Sequence, residues 1–251
     1  QTQESIKLQM KNSIEVINLS KSYKTKKAVN NISFKIDENE IVGLLGPNGC
    51  GKTTTIGMIL GLLKPTSGQV LINGKNIENN KISILHKMNF ISPYIELPKK
   101  LTVKQNLIVY GKLYNIKNLN ERINFLSEKL RLGDLLDKIT GELSSGQKNR
   151  VSLAKALIND PTVLLLDEPT AALDPETADF IRTFLEKLRE EKKISVLLAS
   201  HNMDEVKRLC NSVMMMKDGN IVDGGTPEDL IEKYGQKNLE EVFLEIVRKD
   251  K

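Results

Sequence analysis

The sequence is organised around one stretch, Gly46-Pro47-Asn48-Gly49-Cys50-Gly51-Lys52-Thr53-Thr54. It fits the pattern G-x-x-x-x-G-K-[ST], in which a glycine-rich loop surrounds a phosphate with backbone N–H groups. An apolar run of strand length precedes it at 40–45, and 53–63 is apolar at helical spacing. A strand, a glycine loop and a helix start together direct N–H groups and a positive helix end at an anion. The stretch therefore predicts a nucleotide triphosphate site.

The residue types in this loop have distinct tasks. Gly46, Gly49 and Gly51 allow the backbone to wrap closely where a Cβ would collide. Lys52 supplies a point charge for the β- and γ-phosphates, and the Thr53 hydroxyl is placed to ligate Mg²⁺. The other loop residues expected at the nucleotide are Pro47, Asn48, Cys50 and Thr54.

Length and composition limit the classes of protein to which the chain can belong. At 251 residues, the chain can form one large domain or a domain with an inserted lobe. No apolar run approaches the roughly 18 residues that a membrane span needs. Residues 1–12 are polar, so we expect a tail there and no secretory signal. Cys50 and Cys210 are too few for a disulfide framework or a metal site, which favours a reducing cytoplasm.

The net charge of +5 raises the question of an anionic partner, either nucleic acid or a membrane surface. The lysines are scattered, with one short cluster at 24–27, and aromatic residues make up only 4%. A solvated, lysine-rich surface explains this pattern best. We therefore expect no nucleic acid partner.

The first part of the chain predicts a mixed β region folded around the loop. Alternating residues indicate strands at 14–19 and 28–36, with a turn at 20–23. The run at 69–72 is a further strand, closed by the hairpin signal Asn73-Gly74.

The next part of the chain has apolar residues at helical periodicity. Apolar spacing predicts helices at 103–114, 119–130, 132–139 and 145–159. We infer an all-helical lobe, at about 93–160, inserted into a domain that spans 13–235.

The second half of the chain alternates apolar strands with helices. The predicted strands are 162–166, 194–199 and 212–216, and the predicted helices are 175–191, 203–209, 227–234 and 239–247. Such alternation calls for a parallel sheet, and the last helix lies in a C-terminal segment, 236–251. The predicted fold class is α/β: a P-loop core with a mostly parallel sheet, an N-terminal antiparallel β subdomain and an inserted all-helical lobe.

An acidic pair follows one of these strands, at Leu164-Leu165-Leu166-Asp167-Glu168. Asp167, at the strand end, can hold Mg²⁺ opposite Thr53. Glu168 can polarise a water for attack on a γ-phosphate. Alone, such a pair commonly marks only a strand end, but downstream of a phosphate loop it indicates the second half of a nucleotide site.

Further motifs make the chain resemble the ATP-binding cassette (ABC) ATPases, the motor subunits of ABC transporters. Leu143-Ser144-Ser145-Gly146-Gln147 is similar to the family signature LSGGQ, with Ser145 in place of a glycine. Pro169-Thr170-Ala171-Ala172-Leu173-Asp174 resembles the segment that ends in the D-loop aspartate. His201 resembles the switch histidine, and Tyr23 lies where the family stacks an aromatic ring on adenine. The match runs in order from about residue 14 to 224.

Each of these pieces also has a simpler structural explanation. Tyr23 alone is more often a core or surface residue, and a histidine at a strand end is usually structural. Ser144 or Ser145 could merely cap a helix. That same helix start, however, presents N–H groups as a second anion site that has no lysine.

The resemblance implies a head-to-tail dimer. Each ATP would lie between the phosphate loop of one copy and Ser144, Ser145, Gly146 and Gln147 of the other, with Asp174 at the same interface. His201 would reach the γ-phosphate and Glu168 would activate water. The family pattern further implies a separate transmembrane permease, with this chain at the cytoplasmic face of a membrane, or in the cytoplasm when free. The end of the chain resembles export-type members, so export is expected.

The sequence departs from the family pattern at Pro93. The family usually has a glutamine there, which touches the metal, and proline cannot supply an amide. Ser92, Tyr94 or a water are the alternatives for that contact.

Functions other than transport fit the sequence less well. A ribosome- or DNA-associated ABC protein usually carries two cassettes or long coiled coils, and this chain has one cassette and no sustained heptads. A module that binds ATP without hydrolysing it conflicts with the intact Glu168. A kinase or GTPase has no signature motif.

Overall fold

The computed structural model describes residues 12–24, 26–93 and 95–248. Their elements, in chain order, are β1 (Asn12–Tyr23), β2 (Lys26–Asp37), β3 (Ile41–Leu45), α1 (Lys52–Ile59), β4 (Ser67–Ile72), β5 (Lys75–Asn76), α2 (Ile77–Leu85), β6 (Met88–Ile91), α3 (Val103–Leu113), α4 (Leu119–Lys129), α5 (Ser145–Leu157), β7 (Val163–Asp167), α6 (Pro175–Glu191), β8 (Ser195–Ala199), α7 (Met203–Leu209), β9 (Ser212–Lys217), β10 (Asn220–Gly225), α8 (Pro227–Tyr234) and α9 (Leu239–Arg248).

A six-stranded sheet forms the centre, in the order β10-β9-β3-β8-β7-β6. All its pairs are parallel except the edge pair of β9 with β10. Every residue of β3, β7 and β8 is buried. Leu164 and Leu166 pack into one apolar cluster, and Val163 and Leu165 pack into another on the opposite face. Both faces of the sheet are therefore covered, as in parallel sheets generally.

A smaller antiparallel sheet, β2-β1-β4-β5, covers one of these faces together with α1. Ile14 and Val16 of β1 share a cluster with Ile56 of α1 and Leu44 of β3. This confirms the α/β fold class with an antiparallel sheet beside the core.

Helices cover the other face of the large sheet. One continuous cluster contains Leu107 of α3, Leu126 of α4, Ile181 of α6 and Val242 of α9. This continuous packing marks no boundary between the helical lobe and the rest of the domain. The bounds of the domain, 13–235, and of the inserted lobe, about 93–160, therefore stay predictions. Of the predicted tail 1–12, only Asn12 is described, as the first residue of β1. Among the described residues, no helix has both the length and the apolar character to cross a bilayer.

Three local predictions were wrong or incomplete. The predicted turn at 20–23 belongs to β1, and its backbone pairs with β2. The predicted helix at 132–139 has no α-helix, only a 3₁₀ turn at Gly133–Leu135. There, the carbonyls of Leu136 and Lys138 accept the N–H groups of Lys104 and Val103, so the backbone bonds to the start of α3 rather than along a helix. Helix α2 was not predicted.

Candidate nucleotide site

The carboxyl ends of the parallel strands bring the motif residues to one edge of the sheet. The phosphate loop follows β3, and Asp167 ends β7, where it pairs with Ala199 of β8. His201 lies just past β8, and Ser92 lies just past β6. Ligands of open α/β sheets bind at this edge.

The phosphate loop ends at an uncapped helix start. Gly51 occupies the N-cap position of α1, no side chain caps the helix, and its first turn has no acid. Lys52 folds back along the loop: its Nζ donates to the carbonyls of Gly46 at 2.5 Å and Pro47 at 3.2 Å. A cation and a free helix end therefore meet where a phosphate would be bound.

Two glycines of the loop have no room for a side chain. Gly51 has a φ of +116°, and a Cβ there would lie 2.5 Å from the carbonyl oxygen of Ala28. A Cβ on Gly46 would collide with the carbonyl of Met216. The loop thus passes too close to β2 and β9 for any other residue.

An open cleft of about 330 Å³ lies over this loop. Its walls are formed by Tyr23, Lys26, Ala28, Asn48, Gly49, Gly51, Lys52, Thr53, Thr54, Asp167 and Glu168. Tyr23 is 46% exposed, and the Lys21 Nζ lies over its ring at 5.2 Å from the centroid. Lys26 was not predicted to line the site, because the lysine cluster at 24–27 was interpreted as a solvated surface. Cys50 is buried below the loop, and burial raises the pKa of its thiol.

Asp167 is the buried acid of the cleft. Burial and the neighbouring Glu168 raise the pKa of its carboxyl, while the charge of Lys52 and a hydrogen bond from Ser92 lower it. The Ser92 Oγ donates to Asp167 Oδ2 at 3.4 Å. Lys52 and Ser92 thus offset only part of the effect of burial and of the neighbouring acid on this carboxylate. With the exposed Thr53 hydroxyl in the same cleft, it fits the oxygen ligands that Mg²⁺ prefers.

The described residues offer Mg²⁺ few further ligands. Across the described ranges, no group of three or more His, Cys, Asp or Glu side chains could hold a metal by itself. This agrees with Mg²⁺ chemistry, in which one or two carboxylates and the substrate phosphates usually hold the ion. Tyr94, one alternative for the contact beside Pro93, lies outside the described residues.

Glu168 sits in a left-handed backbone conformation, with a φ of +50°. Such a conformation is uncommon for a residue other than glycine and is often found at functional sites. Its N–H donates to the Ala199 carbonyl at 2.8 Å, which holds the turn against β8. Its Oε1 lies 2.7 Å from His201 Nδ1. His201 is thus paired with Glu168 and does not line the described cleft.

The signature segment forms the start of α5. Ser144 is the N-cap: its Oγ accepts the Gln147 N–H, and the Gln147 side chain accepts the Ser144 N–H. Ser144 and Ser145 are exposed, whereas Gly146 is buried. A Cβ on Gly146 would lie 3.0 Å from the side chain of Thr177. Asp174 is the exposed N-cap of α6, where it accepts the Thr177 N–H at 2.9 Å.

These signature residues lie outside the walls of the nucleotide cleft. Ser145 lines a second cleft of about 200 Å³ instead. Ser92, Pro93 and Glu168 line that cleft too. One chain therefore has two separate groups of motif residues, and Glu168 borders both clefts.

Comparison with known proteins identifies the family. Residues 29–171 match the family model described as ABC transporter. Three similar proteins are the ABC transporter ATP-binding protein NatA of Bacillus subtilis (34% identity over 88% of this chain and 91% of NatA), the choline transport ATP-binding protein OpuBA of Bacillus subtilis (35%, 89% and 60%) and the Nod factor export ATP-binding protein I of Burkholderia lata (36%, 87% and 72%). The chain thus spans about three fifths of OpuBA and nearly all of NatA.

Solved structures give the same result. An ATP-binding subunit of an ABC transporter matches with a TM-score of 0.85 at 26% identity, over 93% of this chain and 98% of that one. The ATP-binding cassette MJ0796, a dimer in a post-hydrolysis state with ADP and Pi, matches at 0.78 and 27%, over 85% and 98%. The cbiO1 protein of Clostridium perfringens, part of the ABC transporter complex cbiONQ, matches at 0.78 and 29%, over 94% and 100%. This chain belongs to the ABC transporter family, as an ATP-binding subunit that hydrolyses ATP.

Proposed function

We propose that two copies of this chain bind two ATP molecules between them, head to tail, and drive a separate membrane permease. One observation carries the proposal: the phosphate loop and the signature segment belong to the same chain but do not share a cleft. A second copy, related by a two-fold axis, would bring each signature segment to the other copy's loop. The dimeric state of the similar cassette MJ0796 supports this arrangement.

The exposed surface of the signature segment suits such a contact. The hydroxyls of Ser144 and Ser145 lie at the N-terminal end of α5, where the helix dipole favours an anion. Gly146 and Gln147 hold that end in shape, Gly146 by its close packing and Gln147 by its capping contact. Asp174, also exposed, would lie at the same interface.

Within each cleft, we assign the residues the following roles. Lys52 and the N–H groups of the loop neutralise the β- and γ-phosphates, and Tyr23 stacks on adenine. Glu168 accepts a proton from the attacking water. His201 lies 2.7 Å from Glu168 and orients that carboxylate before the dimer closes. Once the dimer has closed, the ring donates to the γ-phosphate instead.

Mg²⁺ is the proposed metal, with Thr53 and Asp167 as its protein partners. The bound ion would neutralise charge that builds up on the phosphate oxygens. Ser92 compensates for Pro93, because its hydroxyl already reaches Asp167. Ser92→Ala is therefore expected to raise the Mg²⁺ concentration for half-maximal hydrolysis several-fold, by roughly 1 kcal/mol. An unchanged Mg²⁺ titration would remove Ser92 from the site.

The permease is proposed to dock on the second cleft. Its rim includes Ile95, 48% exposed, beside Pro93 and Leu97. Because Glu168 borders the same cleft, docking there would reach the hydrolytic centre directly. The cbiO1 protein, part of a transporter complex, supports a permease partner, which would hold this chain at the cytoplasmic face of a membrane. Relatives named for transport speak against a role on ribosomes or DNA.

We propose export as the direction, supported by the relatives named for Nod factor export. The choline transport relative is named for transport without a direction. In vesicles whose ATPase faces outward, an exporter accumulates its cargo in the lumen, whereas an importer empties it.

Complementation between two inactive variants tests the shared site. Lys52→Ala disables the loop, and Ser144→Arg blocks the signature segment. Mixed in equal amounts, they should recover about one quarter of the wild-type ATPase rate, because half of the dimers are mixed and each has one complete site. The double variant Lys52→Ala/Ser144→Arg, mixed with either single variant, is the control and should recover nothing. Activity equal to the sum of the separate chains would contradict the shared site.

A further inference from the structure

Glu205 is a charged side chain buried outside both clefts. It lies in the first turn of α7 with no measurable exposure. Both of its carboxylate oxygens are bound by hydroxyl groups. Thr170 Oγ1 donates to Oε1 at 2.8 Å, and Ser200 Oγ donates to Oε2 at 2.6 Å.

The two donors belong to the two loops that carry the proposed hydrolytic residues. Thr170 follows β7 two residues after Glu168, and Ser200 immediately precedes His201. On the exposed side, the Glu168–His201 pair joins these loops. On the buried side, Glu205 joins them a second time. The two loops are thus cross-linked on both sides.

The backbone around Glu205 is itself fixed. Asn202 Oδ1 caps α7 and accepts the N–H groups of Asp204 and Glu205, both at 3.1 Å. The Ser200 Oγ also accepts the Asn202 N–H at 3.1 Å. Glu205 therefore bonds to Thr170 from a rigid helix start, and that start shares Ser200 with the His201 loop.

Burying a carboxylate costs more free energy than burying an apolar side chain. Desolvation of the carboxylate disfavours its charged form, and burial raises the pKa of Glu205, although the hydroxyls of Ser200 and Thr170 oppose this. An apolar side chain of similar volume would avoid that cost. An apolar side chain, however, could not accept a hydrogen bond from each of the two loops.

We propose that Glu205 is a positioning residue for hydrolysis, which holds the Glu168 loop and the His201 loop in register through Thr170 and Ser200. This inference rests on the proposed roles of Glu168 and His201. It assigns Glu205 no contact with ATP. Loss of the cross-link would misplace both groups, and misplacement by about 1 Å can cost up to 100-fold in rate.

The test compares Glu205→Ala with Asn106→Ala, a matched buried polar side chain in the helical region. Asn106 is also fully buried, and its amide donates to Thr140 Oγ1 at 2.8 Å. Thermal unfolding, nucleotide affinity and kcat are measured on each purified full chain. Both variants should lower Tm, but only Glu205→Ala should lower kcat, by about tenfold, with nucleotide affinity within about twofold of wild type.

Two further variants keep the test decisive. Glu205→Gln retains the shape and one acceptor, so it should recover part of the lost rate. Thr170→Val removes one donor without changing the volume much, and it should lower kcat several-fold even if Glu205→Ala fails to fold. A folded Thr170→Val or Glu205→Ala with wild-type kcat would overturn the inference.

Glu168→Gln separates this inference from the proposed function. If Glu168→Gln hydrolyses ATP at the wild-type rate, the proposed role of Glu168 is wrong. If Glu168→Gln is inactive while Glu205→Ala is folded and fully active, the role of Glu168 stands and the positioning role of Glu205 fails.

Discussion

The Nδ1 atom of the His201 ring lies 2.7 Å from Oε1 of Glu168. The backbone N–H of His201 donates to the other oxygen of the same carboxylate, Oε2, at 3.4 Å. The exposures of the two side chains differ greatly, 71% for His201 and 18% for Glu168. A hydrogen-bonded pair in which one partner is this exposed contributes little to stability. The contact therefore matters for orientation rather than for folding.

This pairing predicts non-additive losses of activity. Glu168→Gln should lower kcat by about 100-fold or more, and His201→Ala by about tenfold or more. The double variant should lose less than the product of the two separate losses, because His201 acts in part through the same carboxylate. Steady-state ATPase rates of the three variants test this. Multiplied losses in the double variant would show that the two residues act independently.

Asp167→Asn should stabilise the nucleotide-free protein at neutral pH. The pKa of Asp167 is raised in the folded state, so the folded protein binds the proton more readily than the unfolded chain. This contribution favours folding at acid pH and is lost as the pH rises through the folded-state pKa. The gain in Tm from Asp167→Asn should therefore be full at neutral pH and vanish near pH 4. Metal-free thermal unfolding across this pH range measures it, and a pH-independent or negative shift contradicts it.

Gly51→Ala should cost more than an ordinary left-handed glycine. A Cβ at position 51 meets the Ala28 carbonyl at 2.5 Å, so both conformation and contact are unfavourable, together about 3 kcal/mol or more. Gly74 is the matched control, with a φ of +76° and open space around it. Gly74→Ala should cost about 1 kcal/mol. Urea unfolding compares the two, and equal losses would show that the contact with Ala28 does not matter.

Local signals explain why much of this fold could be predicted. The helix predicted at 175–191 is α6, because Asp174 caps its first turn and Pro175 suits its first position. The phosphate loop was equally accessible, since its strand, glycines and helix are consecutive. In both cases the residues that determine the structure are neighbours in sequence.

Long-range contacts explain what could not be predicted. The segment 132–139 has apolar residues at helical spacing, yet its carbonyls bond to the backbone at the start of α3. Glu205, in a helix first turn, has the pattern of a surface acid that favours the helix dipole. Only the approach of Thr170, from 35 residues away, makes it a buried cross-link. Lys26 likewise faces the cleft because β1 and β2 bring it opposite Tyr23.

The most direct test of the shared ATP site is the mass of Glu168→Gln in solution, measured by light scattering with and without Mg-ATP. The variant should retain ATP because hydrolysis is slow, so its mass should double from the 28.2 kDa of one chain when Mg-ATP is added. Adding Ser144→Arg to the same chain should abolish the doubling while leaving the mass without nucleotide unchanged. A mass of one chain under both conditions, with ATP demonstrably bound, would contradict the proposed homodimer.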